Sequence, residues 1–318
     1  MNKKLIAIAI ATAMTAPVAM ADVKISGRVA GHLTIFTHDV ATNDSTGFGD
    51  AGQSRLQFDG TSGDAYARVA YDTRNGFGGA ASAGRDIFVG YNLGGGTSIQ
   101  FGRMGTAGKN LEKDQYIATF LQTRNGVAEA VTSKEFGSSS FVGHLIQAKM
   151  KAGAATITVQ YDVADQAGAA SGHEGHTAVS VAGKGGPVRY WASYNNGAAN
   201  GTDGAATTSP SNIKVGAEMA FGKAKVALNY TSADNDTGAA GESNSIAVTG
   251  EIGMGNGLSM NAGFATKDNG GVDETWMRIA VAKKLNAGTM AYAGYTATTS
   301  DTPSSDTSTL GAGMIVKF

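Results

Sequence analysis

The stretch Leu310-Gly311-Ala312-Gly313-Met314-Ile315-Val316-Lys317-Phe318 decides the fold. Leu310, Ala312, Met314, Val316 and Phe318 share one parity; Gly311, Gly313, Ile315 and Lys317 share the other. A period of two puts these sets on opposite faces of a β-strand. A mostly apolar face with an aromatic end suits a sheet whose outer surface meets lipid, whereas soluble domains usually leave their last residues loose and polar. The same alternation opens the sequence after residue 21. Val23, Ile25, Gly27, Val29, Gly31, Leu33 and Ile35 oppose Lys24, Ser26, Arg28, Ala30, His32 and Thr34. At about 3.4 Å per residue, that strand exceeds the ~25 Å apolar band of an outer membrane. An antiparallel sheet whose first and last strands pair becomes a closed barrel.

Similar runs occupy 54–59, 65–73, 85–93, 97–103, 141–150, 155–162, 176–182, 188–194, 212–221 and 224–232. Five more lie at 243–252, 258–267, 274–285, 289–297 and 308–318. Their connections alternate between short Gly- or Asn-bearing turns and long loops rich in Gly, Ser, Thr, Asp and Asn, the pattern of outer-membrane barrels. Residues 105–140 settle the strand number. Reading 126–132 as another strand makes the total odd, whereas an up-and-down barrel with both termini on one side needs an even number. One long third loop gives sixteen strands, the size that leaves an aqueous channel. So long a connection needs a function, and folding into the lumen to narrow it is one. The expected fold is an all-β transmembrane antiparallel barrel of sixteen strands, with the third loop inside.

Residues 1–21 read as a cleaved secretory signal. Lys3 and Lys4 precede an apolar stretch from Leu5 to Ala16, and Ala19-Met20-Ala21 supplies the small-x-small cleavage site. That apolar stretch is shorter than the ~20 residues a membrane helix needs. The barrel domain is then 22–318. With 46 glycines, 4 prolines and a mean hydropathy of −0.11, the composition fits strands of which half the positions are polar. The absence of cysteine excludes a disulfide scaffold and thiolate chemistry. A formal net charge of −1 argues against a nucleic-acid partner.

Charged residues opposite the apolar positions must face the lumen, because charges facing lipid near the midplane cost ~2–4 kcal/mol each. Arg28, Arg55 and Arg68 have this parity, as do Lys24, Lys214, Lys225, Glu218, Gln57, Gln100 and Asn229. Arg103 shares parity with Ile99 and Phe101, so it needs a strand end or a bulge to reach water. The third loop carries Glu112, Asp114, Glu129 and Glu135 with Lys109, Lys113 and Arg124. Glu112 and Asp114 are expected to face the wall arginines across the narrowest point, where a transverse field orders water and dipolar solutes. Tyr71, Tyr91, Tyr161, Trp191, Tyr194 and Tyr230 lie near strand ends and are expected in the aromatic girdles. His173-Glu174-Gly175-His176 has the look of a metal pair but sits in a Gly/Ala-rich loop rather than on a helix, so no metal or cofactor is expected. No nucleophile–base grouping is recognisable, and the reading is a channel rather than an enzyme.

These features resemble the Gram-negative general porin family. The resemblance rests on Asp22-Val23-Lys24-Ile25-Ser26-Gly27-Arg28, on Ser54-Arg55-Leu56-Gln57-Phe58-Asp59-Gly60, on Phe101-Gly102-Arg103, and on the ending Met314-Ile315-Val316-Lys317-Phe318. It implies a homotrimer in outer-membrane lipid and lipopolysaccharide that passes ions and small hydrophilic solutes without energy input. It implies a basic wall cluster of Arg28, Arg55 and Arg103, with Glu112 and Asp114 at the positions of the acidic loop residues. It also implies that Phe318 is the signal read by the barrel-assembly machinery. Alternatives are a channel selective for oligosaccharide or phosphate, a barrel protease or phospholipase, and a secreted adhesin or structural β protein.

Overall fold

The computed structural model describes residues 22–40, 43–49, 54–73, 84–109, 111, 121, 141–163, 177–196, 211–234, 242–269 and 271–318. The proposed signal segment, His173 to His176 and the 126–132 stretch lie outside them. The strands are β1 (Asp22–His38), β2 (Ser45–Gly49), β3 (Arg55–Ser62), β4 (Ala65–Asp72), β5 (Gly84–Gly94), β6 (Thr97–Gly105), β7 (Phe141–Ala152) and β8 (Ala155–Asp162). They continue as β9 (Thr177–Gly185), β10 (Val188–Asn196), β11 (Ser211–Phe221), β12 (Ala224–Asp234), β13 (Glu242–Gly255), β14 (Leu258–Asn269), β15 (Asp273–Lys284), β16 (Thr289–Ser300) and β17 (Thr307–Lys317). All lie in one antiparallel sheet, and β1 closes it by pairing with β17 from Arg28↔Lys317 to His38↔Thr307.

Seventeen segments make a sixteen-strand barrel because β2 and β3 are two halves of one stave. Both pair with β1: β2 through His32↔Gly49 to Phe36↔Ser45, and β3 through Asp22↔Thr61 to Arg28↔Arg55. The sequence reading placed Ser45–Gly49 within a long loop; its backbone instead completes the ladder beside β1. Where the stave is interrupted, Ser54 substitutes for the missing partner. Its Oγ accepts from the Ala30 N–H at 3.0 Å, and its carbonyl accepts from the Thr73 N–H at 2.9 Å. A backbone group in a lipid-embedded wall has no water to turn to, so this side-chain bond keeps the break tolerable.

The period of two holds around the wall. On β15, Met277, Ile279 and Val281 are exposed while Trp276, Arg278 and Ala280 are buried. Val23 and Ile25 stand out at 66% and 59% exposure, as expected of side chains meant for hydrocarbon. Tyr71, Tyr91, Tyr161, Tyr194 and Tyr230 are exposed on the outer face, where a girdle needs them. Trp191 is not among them. It is 3% exposed and faces inward, because it alternates with the outward-facing Tyr190 and Tyr194.

The seam depends on Gly27 and Phe318. Their backbones exchange two hydrogen bonds, Gly27 N–H to the Phe318 carbonyl at 2.9 Å and Phe318 N–H to the Gly27 carbonyl at 3.2 Å. The Phe318 ring lies over Gly27, so a Cβ there would come within 2.5 Å of the ring. Gly27→Leu is therefore expected to destabilise the folded barrel by about 1–3 kcal/mol through overpacking. The double variant Gly27→Leu/Phe318→Ala should recover part of this loss. Thermal loss of the fast-migrating folded band in unheated gels measures both.

Candidate functional site: the inner wall and the third loop

The basic side chains expected on the wall gather on β1, β3 and β4. Register pairs Arg28 with Arg55, Arg55 with Asp72, and Asp59 with Arg68, which places all of them on the inward face. Arg28 is 7% exposed, while Arg55 and Arg68 are half-buried. Arg68 Nε donates to Asp59 Oδ1 at 2.7 Å and Gln57 Nε2 donates to Asp59 Oδ2 at 2.6 Å, so this carboxylate is held from two sides.

Arg85 was missed as a wall residue. Simple alternation gives it the parity of Ile87 and Val89, which face outward. A register shift between Val69 and Tyr71 on β4 breaks that alternation, and Arg85 Nη1 reaches Asp72 Oδ1 at 3.3 Å, both residues buried. The available signal was energetic, since a guanidinium on the lipid face is costly. Arg103 needed a bulge, and β6 has one: the register with β7 shifts between Gly102 and Met104. Gly102 has φ +134°, and a Cβ there would lie 2.3 Å from the Ile87 carbonyl, so glycine is required. Half-buried Arg103 donates from Nε to the Gly84 carbonyl at 2.9 Å.

The third connection leaves the wall at Gly105 and returns at Phe141. Gly105 is clasped on both sides: its N–H donates to Asp86 Oδ1 at 3.3 Å and its carbonyl accepts from Gln160 Nε2 at 2.9 Å. Two anchors follow. Leu111 packs with inward-facing Trp191 and Ala227, and its carbonyl accepts from Arg189. Leu121, fully buried, packs with Ala30, Ala280, Ala282, Tyr292 and Ile315, and its carbonyl accepts from Arg278. The anchors share a design. Each arginine lies two residues from an inward tryptophan on the same strand and sits over its ring, Arg189 at 4.6 Å from the Trp191 centroid and Arg278 at 5.4 Å from that of Trp276. The ring faces fix each guanidinium by cation–π attraction and leave N–H groups for the loop carbonyl. Trp191 in turn lies over Gly216, where a Cβ would come within 2.4 Å of the indole. Neither anchor was foreseen, although the inward parity of Trp191, Trp276, Arg189 and Arg278 was readable. Glu112 and Asp114 lie outside the described residues.

Four carboxylates of the inner wall are held in ion pairs. Asp59 pairs with Arg68, Asp72 with Arg85, Glu251 with Lys225 at 2.7 Å and Glu274 with Lys267 at 3.4 Å. Inward parity also holds for Lys24, Arg28, Arg55, Lys149, Lys214 and Lys317 on the basic side and for Asp86, Asp162 and Glu218 on the acidic side, so among the described residues the lining carries more positive than negative charge.

A family profile for Gram-negative porins matches residues 7–303. No curated protein matches the sequence. Among solved structures, the anion-selective porin from Comamonas acidovorans superposes with a TM-score of 0.76 at 17% identity, covering 94% of this chain and 100% of that one. OmpF of Salmonella typhi, solved with daunomycin, gives 0.72 at 14% identity over 94% and 100% of the two chains. The trimer form of Vibrio cholerae OmpT gives 0.70 at 13% identity over 94% and 99%. These likenesses establish the barrel architecture, and the sequence profile establishes the lineage. A closed sixteen-strand barrel with an apolar outside and a charged inside is what that lineage builds, and the chain belongs to the Gram-negative porin family, outer-membrane channels for passive diffusion of ions and small hydrophilic solutes.

Proposed function

We propose that this porin is an anion-preferring diffusion channel whose narrowest part lies between the wall arginines and the third loop. The observation that carries the reading is that, among the described residues, inward basic side chains outnumber inward acidic ones. Fixed positive charge in a narrow, low-dielectric passage concentrates anions and repels cations. Arg28, Arg55, Arg68 and Arg103 form the basic side, with Glu112 and Asp114 opposite. The buried contacts of Leu111 and Leu121 with inward side chains support a third loop lying inside the barrel.

The same proposal takes residues 1–21 as the export signal, 22–318 as the working barrel, and Phe318 as the element presented to the assembly machinery. It takes the assembly as a homotrimer embedded beside lipopolysaccharide, a reading supported by the trimeric form of the Vibrio cholerae neighbour.

Two outcomes are expected. In a KCl gradient across a planar bilayer, the reversal potential should report anion preference. Arg55→Gln or Arg103→Gln should shift it towards cations and raise single-channel conductance, each lost charge changing local anion partition by up to roughly fivefold, the equivalent of ~1 kcal/mol. An unchanged reversal potential in both variants would refute the constriction. Separately, Arg278→Leu or Leu121→Ser should leave the folded barrel intact but release the second loop anchor. The expected record is a larger and noisier single-channel current.

A further inference from the structure

The short turns form the periplasmic end of such a barrel, and every residue in them is described. The carboxylates at this end are Asp22, Asp59, Asp64, Glu218, Glu251 and the chain terminus at Phe318. Asp22, Asp59 and Asp64 lie together on β1, β3 and the turn after β3, and Asp59 is held by Arg68. Further round, Glu251 is paired with Lys225, Glu218 faces Arg189 in register, and the terminal carboxylate adjoins Lys317.

The rim from β7 to β16 carries further cations. Lys151, Lys184, Lys223 and Lys284 are exposed, and no carboxylate of the described residues pairs with any of them. The register partner of Lys184 is another cation, Arg189. Lys283, beside Lys284, donates to the Asn256 carbonyl. Lys151, Lys184 and Lys284 share the inward parity of the buried Gln147, Ser180 and Ala280, so they border the mouth of the lumen rather than lipid. Two of the stems are packed against the neighbouring turn. A Cβ on Gly96 would come within 2.9 Å of the Lys151 Cβ, and one on Gly257 within 3.4 Å of the Lys284 Cβ. This fixes where these side chains leave the wall.

We infer that this arc of the periplasmic mouth docks an extended acidic peptide segment with carboxylates three or four residues apart. Lys151, Lys184 and Lys223 stand at three successive short turns. Neighbouring strands lie about 4.8 Å apart, so cations two strands on are separated by roughly 10 Å along the rim. An extended chain covers that distance in three or four residues at ~3.3 Å each. Each carboxylate then meets an ammonium group that has no partner within the barrel, and the like charges along the arc favour a ligand of several charges over a single one. Anionic lipid headgroups meet the outer face, whereas the inward parity of these lysines turns them to the mouth. The inference goes beyond the anion-preferring reading, because it concerns the rim and holds wherever the constriction lies.

The probe is a synthetic peptide with aspartate at every third position and glycine and serine between. A single full-length channel is held in a planar bilayer in about 0.1 M KCl, where charges act over ~10 Å, and peptide is added to one chamber and then the other. Saturable block is expected from one chamber only. Free aspartate at the same carboxylate concentration should not reproduce it. At about 1 M KCl, where screening falls to ~3 Å, the block should be lost. Lys184→Gln/Lys223→Gln should raise the half-blocking concentration about tenfold, a few-fold for each exposed charge. Lys267→Gln, at the long-loop end, should leave it unchanged. Equal block from both chambers would overturn the docking surface. So would equal weakening by Lys267→Gln, or block that persists unchanged at high salt. Tighter block by a linear polyphosphate of the same charge would overturn the peptide assignment. Failure to conduct KCl would instead defeat the channel reading, and is seen before any peptide is added.

Discussion

Backbone hydrogen bonding in hydrocarbon is the constraint on which the rest of this molecule depends. An unpaired N–H or C=O facing lipid costs several kcal/mol, so a sheet that crosses the membrane has to close on itself. Here β1 makes three pairings, with β2 and β3 on one edge and with β17 on the other. The two adjustments at the seam follow from the same requirement. The Ser54 hydroxyl caps the Ala30 N–H where one stave is broken, and Gly27 leaves room for the ring of Phe318 where the last strand meets the first.

Closure forces the charged half of each strand inside, and there the charges sort themselves. Carboxylates are held by neighbouring guanidinium and ammonium groups across adjacent strands, at the register positions where side chains stand closest. Among the described residues the inward basic groups outnumber the acidic ones. That residue of charge, rather than the chain's overall net of −1, is what a permeating ion meets. The distinction matters because total charge mixes the lining with the loops, whereas selectivity depends on the lining.

Much of this was legible beforehand. Strict alternation in residues 23–35 and 310–318 marked the first and last strands, and Gly-rich turns marked the short ends. The third connection was bounded at 105–140, matching the observed end of β6 at Gly105 and start of β7 at Phe141. Arg28, Arg55 and Arg68 were placed on the inner face by parity alone and stand there. Three features were not legible. Ser45–Gly49 is too polar and glycine-rich to announce a strand, and its place comes from the free edge of β1. Arg85 faces inward through a shift that parity counting does not see. Trp191 looked like an interfacial aromatic because it lies near a strand end, although its own alternation with Tyr190 and Tyr194 argued for the inside.

By itself, then, the order of residues determined, away from bulges and register shifts, which side chains face hydrocarbon and which face the lumen, because a strand of period two leaves no freedom once one face is apolar. It did not determine which inward side chains meet. Arg189 reaches the carbonyl of Leu111 across 78 positions of sequence, and Arg278 reaches that of Leu121 across 157. Such partners are chosen by strand register, by local bulges and by the curvature of the closed wall. None of these exists until the last strand has paired with the first.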